Sequence, residues 1–112
     1  MTGDDVIDKV RVLVNDVDET TWDDDTFLAF VNEGVRRLFD EQPVCRLEAA
    51  GTLRDYAKAS ALTETLLVED QYLIALTEYV CYRFFDSDSG DSRDKDRADE
   101  HLKNFLFFTQ GG

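Results

Sequence analysis

The stretch Trp22-Asp-Asp-Asp-Thr-Phe-Leu-Ala-Phe-Val-Asn-Glu-Gly-Val-Arg-Arg-Leu-Phe39 decides the fold of this chain. Phe27, Val31, Val35 and Leu38 recur at spacings of four, four and three, the stripe that an α-helix buries on one side. Leu28 and Phe39 flank it. Thr21 or Asp23 can cap the start, and Asp24 and Asp25 place carboxylates at the positive end of the helix dipole. Trp22, just before the acids, can staple back onto Phe27. Arg36 and Arg37 fall in the last two turns, where cations are favoured, and Pro43 closes the segment. The pattern predicts a helix over about 23–40.

Upstream, Val6, Val10, Leu13 and Val17 recur at four, three and four, with Asp4 and Asp5 at the leading end, so a helix is expected over about 4–17. Asn15 to Thr20 supplies turn chemistry. Downstream, residues 44–65 lack a helical period. Leu47 to Leu53 contains Gly51 and a short apolar alternation, which suits an irregular loop or a small β-hairpin. Glu69 and Asp70 then open a third helix, about 67–86, carrying Tyr72, Leu73, Leu76, Tyr79, Val80, Tyr82 and Phe84. Apolar residues cover more than half of its circumference, the mark of a central helix. The run Asp86-Ser-Asp-Ser-Gly-Asp-Ser92 breaks it, and Asp91 or Ser92 caps a fourth helix over about 92–108 with Ala98, Leu102, Phe105 and Leu106 on its apolar face. The expected fold is all-α: a four-helix, bundle-like single domain over 1–112 with a short irregular or hairpin excursion between helices two and three.

Composition bounds the function. The chain has 112 residues, 12 Lys+Arg against 25 Asp+Glu, and a formal charge of −13. A hydrophobic fraction of 43% with 12% aromatics is too apolar for a disordered acidic tail. A surface so negative repels phosphates, which argues against a general DNA- or RNA-binding face and against an anionic membrane. No run of 18 apolar residues suggests a membrane span, and the acidic start Met1-Thr-Gly-Asp-Asp5 lacks the apolar core of a signal peptide. A soluble chain assembled in a reducing cytoplasm is expected, with Cys45 and Cys81 as thiols and Cys81 as a small core residue.

Residues that could carry chemistry do not combine. A calcium loop starting at Asp86 would need an oxygen ligand at its fifth position, glycine at the sixth and glutamate at the twelfth, where this chain has Gly90, Asp91 and Arg97. Asp23, Asp24 and Asp25 point about 100° apart on a helix and do not converge on one ion. His101 has Asp99 and Glu100 beside it but no Cys or Ser at a helical spacing, so hydrolytic and zinc chemistry lack partners. The six glycines are scattered and form no phosphate loop. The expectation is a protein without catalytic residues, metal or cofactor.

One feature overloads a single subunit. Phe105, Leu106, Phe107 and Phe108 are four consecutive large apolar residues, and on a helix they sweep about 300° of the circumference. Either some face a partner, or the end of the helix folds back over the core.

Taken in order, these elements resemble the small head–tail connector proteins of tailed bacteriophages, also called adaptor or head-completion proteins. Three stretches carry the likeness: Trp22-Asp-Asp-Asp25 leading into Phe27-Leu-Ala-Phe-Val-Asn-Glu33; Leu67-Val-Glu-Asp-Gln-Tyr72 running into Leu76-Thr-Glu-Tyr-Val-Cys-Tyr-Arg-Phe84; and Asp86-Ser-Asp88 followed by Arg97-Ala-Asp-Glu-His101 and Phe105. The resemblance implies a helical subunit of a ring, usually of twelve, that docks on the portal in the virion neck. Such a ring extends the DNA channel and presents a docking face to the tail or the next connector. It also implies that the C-terminal segment, here Phe105 to Phe108 and the glycines, reaches toward the portal. The sequence departs from the family at 44–65, where longer relatives carry a larger β-rich insertion.

A ring of twelve would carry a formal charge near −156 (12 × −13). Carboxylates lining its lumen would let DNA pass without the Lys/Arg–phosphate pairs that hold a duplex. Repulsion between subunits would then be offset by apolar contact and by ion pairs from Arg36, Arg37, Arg83, Arg93 and Arg97. The charge alone also suits an acidic DNA mimic that inhibits a DNA-binding enzyme, and the helices alone suit a generic interaction or chaperone module.

Overall fold

The computed structural model describes residues 1–13, 23–46, 51, 55–87 and 92–111. Four α-helices, α1 (Gly3–Leu13), α2 (Asp24–Glu41), α3 (Leu73–Ser87) and α4 (Ser92–Gly111), form an all-α fold. Short 3-10 turns occupy Pro43–Arg46 and Asp70–Tyr72. The expected staple from Trp22, the expected cap at Asp91, and the Leu47–Leu53 alternation apart from Gly51 lie outside the described residues.

The starts of α1 and α2 are capped by nearby side chains. Thr2 and Asp5 form a reciprocal box: the Thr2 N–H donates to Asp5 Oδ2 at 2.9 Å, and the Asp5 N–H donates to Thr2 Oγ1 at 3.3 Å. Asp23, one of the two caps expected for α2, accepts from the Thr26 N–H at 2.8 Å. That hydrogen bond holds the Asp23 carboxyl below its ordinary range.

The stripe Phe27, Val31, Val35 and Leu38 is buried as its spacing requires, joined by Phe30 and Phe39. On α1, Val6, Ile7 and Val10 are buried, but Leu13 is 56% exposed, so the expected stripe leaves the core after its second member. Helix α3 is central and packs against α1, α2 and most extensively α4. Its α-helical part begins at Leu73, later than the expected 67: Leu66 and Val68 are buried in a bent stretch on either side of half-buried Leu67, and the 3-10 turn Asp70–Tyr72 leads into the helix. Where α2 crosses α3 the backbones come close. A Cβ on Gly34 would sit 3.0 Å from the Tyr79 ring and 3.1 Å from Leu76.

The excursion between α2 and α3 builds no β-ladder among the described residues; its one pairing is an isolated antiparallel bridge between Thr2 and Thr65. Several of its described backbone groups pair instead with α2 and with the start of the chain. Buried Asn32 donates from Nδ2 to the Ala59 carbonyl at 3.0 Å and accepts from the Ala59 N–H at 2.9 Å, so one side-chain amide plays the part of a neighbouring strand. The Tyr56 hydroxyl donates to the Asn32 carbonyl at 3.2 Å, and its ring meets Phe39 edge-on. Further along, the Leu66 N–H donates to the Met1 carbonyl, and the Leu62 carbonyl accepts from Asp4, one of the first-turn N–H groups of α1. Residues 55–68 are thus tied to α2 and to the start of α1.

Two outcomes follow for stability. Asn32→Leu keeps the volume but strands the buried N–H and C=O of Ala59, and is expected to cost about 2–4 kcal/mol in chemical denaturation. Asp23 contributes fully above its ordinary pKa of 3.8, and its contribution fades as pH falls through the lower folded value. Asp23→Asn keeps an acceptor that does not titrate. It should match the wild type thermally near neutral pH and lose less stability on acidification toward about pH 2.

Candidate functional site

A groove of about 430 Å³ runs between α1 and α3, lined by Asp8, Lys9, Val12, Leu13, Ile74, Thr77 and Glu78. Val12 is 69% exposed, Leu13 56% and Ile74 55%, three large aliphatic side chains in water on a chain whose charge favours solvation. Contiguous apolar exposure of this kind marks contact surfaces. The periodicity of α1 hid it by assigning Leu13 to the core. The usable signal was the same overload seen in α4: Val12, Leu13 and Val14 are too many consecutive apolar residues for one stripe.

The α4 quartet divides. Phe105 is fully buried and packs edge-on against Tyr79 with ring centroids 5.2 Å apart. It belongs to the subunit core and is withdrawn from the candidate interface, because its position on α4 is the centre of the face turned to α3. Leu106 and Phe108 are half-buried against the core. Phe107 is 70% exposed, touching Phe108 edge-on, and points away from the bundle between the buried positions 105 and 109. The tail of α4 is held in place by Gln42, whose Nε2 donates to the Thr109 carbonyl at 3.2 Å.

The arginines expected to bridge subunits are largely engaged within one. Arg83 lies 3.5 Å from Glu33 and 3.2 Å from Asp86, with its guanidinium over the Phe30 ring. Tyr79, whose hydroxyl reaches the same Glu33, has its pKa pushed up to about 12 by burial. Arg37 pairs with Glu41 one turn on, Arg36 covers Tyr56, and Arg97 covers Phe85. The side chain of Arg93 lies outside the described residues. Local geometry accounts for these contacts: an arginine one turn from a carboxylate, or above a nearby ring, has a partner within its own subunit. Arg11, which the sequence reading passed over, is 5% exposed, stacked 4.6 Å from the Phe27 ring centroid and 3.5 Å from Asp24.

His101 is half-buried; its Nδ1 meets Glu78 of α3, its ring stacks on Phe85, and Asn104 donates to the same Glu78 at 3.4 Å. Among the acids whose side chains are described, Glu78 alone is not exposed. The trio ties α3 to α4 beside the groove. Among the described residues no three His, Cys, Asp or Glu side chains are grouped so as to hold a metal ion, and no helix is long and apolar enough to cross a membrane. The Asp86–Ser92 loop falls largely outside the described residues. Both cysteines are buried thiols, and burial pushes Cys81 up to about 12.

No family model, no curated protein and no solved structure matches the chain. Among the described residues, the large apolar side chains left exposed are those of the α1–α3 groove, Val44 and Phe107.

Phe105→Ala should cost about 3–5 kcal/mol by opening a core cavity. Phe107→Ser should stay within about 0.5 kcal/mol of the wild type in the same denaturation experiment.

Proposed function

We infer that this chain is a structural subunit of a ring, the head-to-tail adaptor of a tailed bacteriophage. In this reading it docks on the portal, extends the DNA channel and provides the attachment site for the tail. It is assembled in the host cytoplasm, resides in the virion neck, needs no cofactor and performs no catalysis. DNA passes through the ring without specific binding.

The observation that carries the reading is the combination of a −13 chain with large apolar side chains left in water, among the described residues, at three places: the α1–α3 groove, Val44 and Phe107. A monomer with that charge gains nothing from such exposure, whereas a subunit that meets its neighbours does. The order of helices and the three stretches that resemble the connector family supply the identity of the assembly. The exposed acids are compatible with a lumen that does not grip phosphates. The acidic-mimic reading is weaker. A mimic orders its carboxylates on one face, whereas here they are spread over α1, both ends of α2 and α4, and several act locally: Asp5 and Asp23 cap helices, while Glu41 and Asp86 pair with arginines. A generic helical interaction module shares the groove but not the ordered likeness.

Sedimentation velocity across salt and magnesium concentrations tests the proposal, together with electron microscopy of particles. Screening shortens the reach of like-charge repulsion, so assembly should strengthen with ionic strength or magnesium. Ring density should appear at the capsid vertex. A monomer at every salt concentration with portal present, or absence from the particle, would end the reading.

A further inference from the structure

We propose that His101 and Glu78 form a pH-responsive clasp between α4 and α3, which a charged imidazole closes and a neutral one leaves looser. The clasp is a property of one subunit and is independent of the ring reading.

The chain has a single histidine, and histidine is the side chain whose charge changes between about pH 5 and pH 8. His101 sits where that change meets a fixed partner. Its Nδ1 contacts a carboxylate oxygen of Glu78, 23 residues earlier and on the helix that α4 packs against most extensively. The Glu78 side chain is 14% exposed and that of His101 21%, so salt and water screen the pair only in part. The imidazole lies flat on Phe85, with ring centroids 5.6 Å apart and planes 6° apart. That stack restrains the ring from turning away from α3. Asn104, one turn beyond His101, donates to the same Glu78 oxygen at 3.4 Å and holds the carboxylate in place.

The described charged and titratable groups around the pair come from three helices. From α1, Asp8 and Lys9 line the groove that Glu78 also lines, and their charges oppose each other. From α4, Arg97 stands one turn before His101 and covers the Phe85 ring, while Asp99, Glu100 and Lys103 are exposed. From α3, Cys81 lies near enough to feel the Glu78 charge, and burial pushes its thiol up to about 12. Carboxylates, lysine and arginine as residue types keep their charge through the interval in which an imidazole titrates, and this thiol keeps its proton. Among the described groups at the clasp, His101 is therefore the one that changes charge.

A neutral imidazole still donates one N–H to Glu78, but a hydrogen bond between two charged groups is about twice as strong. Loss of the proton leaves a poorly exposed carboxylate with neutral donors only. The clasp thus tightens on acidification through the histidine range and loosens as pH rises. Its reach is local, because buried Ala98 and Phe105, the latter packed on Tyr79, hold α4 to α3 at every pH. What changes is how firmly the middle of α4 is set against α3.

A double-mutant cycle on the full chain tests the clasp, with His101→Gln, Glu78→Gln and the double variant denatured chemically at about pH 5.5 and about pH 8. The remaining acids of the −13 chain also respond to pH, but that response is common to every member of the cycle and cancels. The pair's coupling, read as a factor in the folded-to-unfolded ratio, should be about threefold or more larger at the lower pH. Amide exchange, corrected for its intrinsic pH dependence, should show residues 98–105 more protected at the lower pH in the wild type than in His101→Gln. Equal coupling at the two pH values, or stronger coupling at the higher one, would overturn the clasp and leave a plain hydrogen bond. Protection of residues 98–105 that follows pH unchanged in His101→Gln would overturn it too, by assigning the response to other groups.

Discussion

Asn32 sits in the middle of α2, buried, with its amide turned to the Ala59 backbone, which it meets as both donor and acceptor. The rest of the subunit depends on that pairing. Residues 55–59 run beside α2 without regular secondary structure, and buried backbone N–H and C=O groups without partners are costly. One carboxamide satisfies both and places Ala59, Leu66 and Val68 where they complete the core over α1 and α2. Tyr56, bonded to the Asn32 carbonyl and covered by Arg36, secures the start of this segment. The start of α1, sharing hydrogen bonds with Leu62 and Leu66, secures its far side.

With that layer in place, α3 is surrounded. It contacts α1, α2 and α4, and its residues Leu76, Val80 and Cys81 have no exposed surface. Specific polar ties then set the outer helices around it: Glu33 and Arg83 join α2 to α3, Glu78 and His101 join α3 to α4, and Gln42 holds the end of α4 to the end of α2. Such ties orient helices more than they stabilise them, since half-exposed ion pairs contribute little. Fixed orientation matters for a subunit whose proposed work is geometric.

The helices were legible because their signals are local. The α2 stripe needed only the 3.6-residue period, and the Asp23 cap only a carboxylate before an apolar run. The excursion was legible as an absence of period, but not its construction. Nothing near Ala59 in the sequence points to an asparagine 27 residues earlier. The candidate surface was half legible. Four apolar residues in a row at 105–108 announced that some would face outward, since a helix has one buried side. Which ones depended on where α3 lay, and Phe105, not Phe107, faced it. Charge counted along the chain likewise does not show that Glu41 lies within reach of Arg37, or Glu33 and Asp86 within reach of Arg83.

By itself the sequence determined the all-α class, the four helices and the acidic net charge, because periodicity, capping and net charge act over a few residues or over the whole count. Only the tertiary structure decided that Leu13, Val12 and Ile74 share a groove, that Phe107 alone of its quartet is fully turned to water, and that Asn32 replaces a strand. Those outcomes depend on which helix faces are covered by residues distant in the chain, and burial is a property of neighbours that local pattern does not contain.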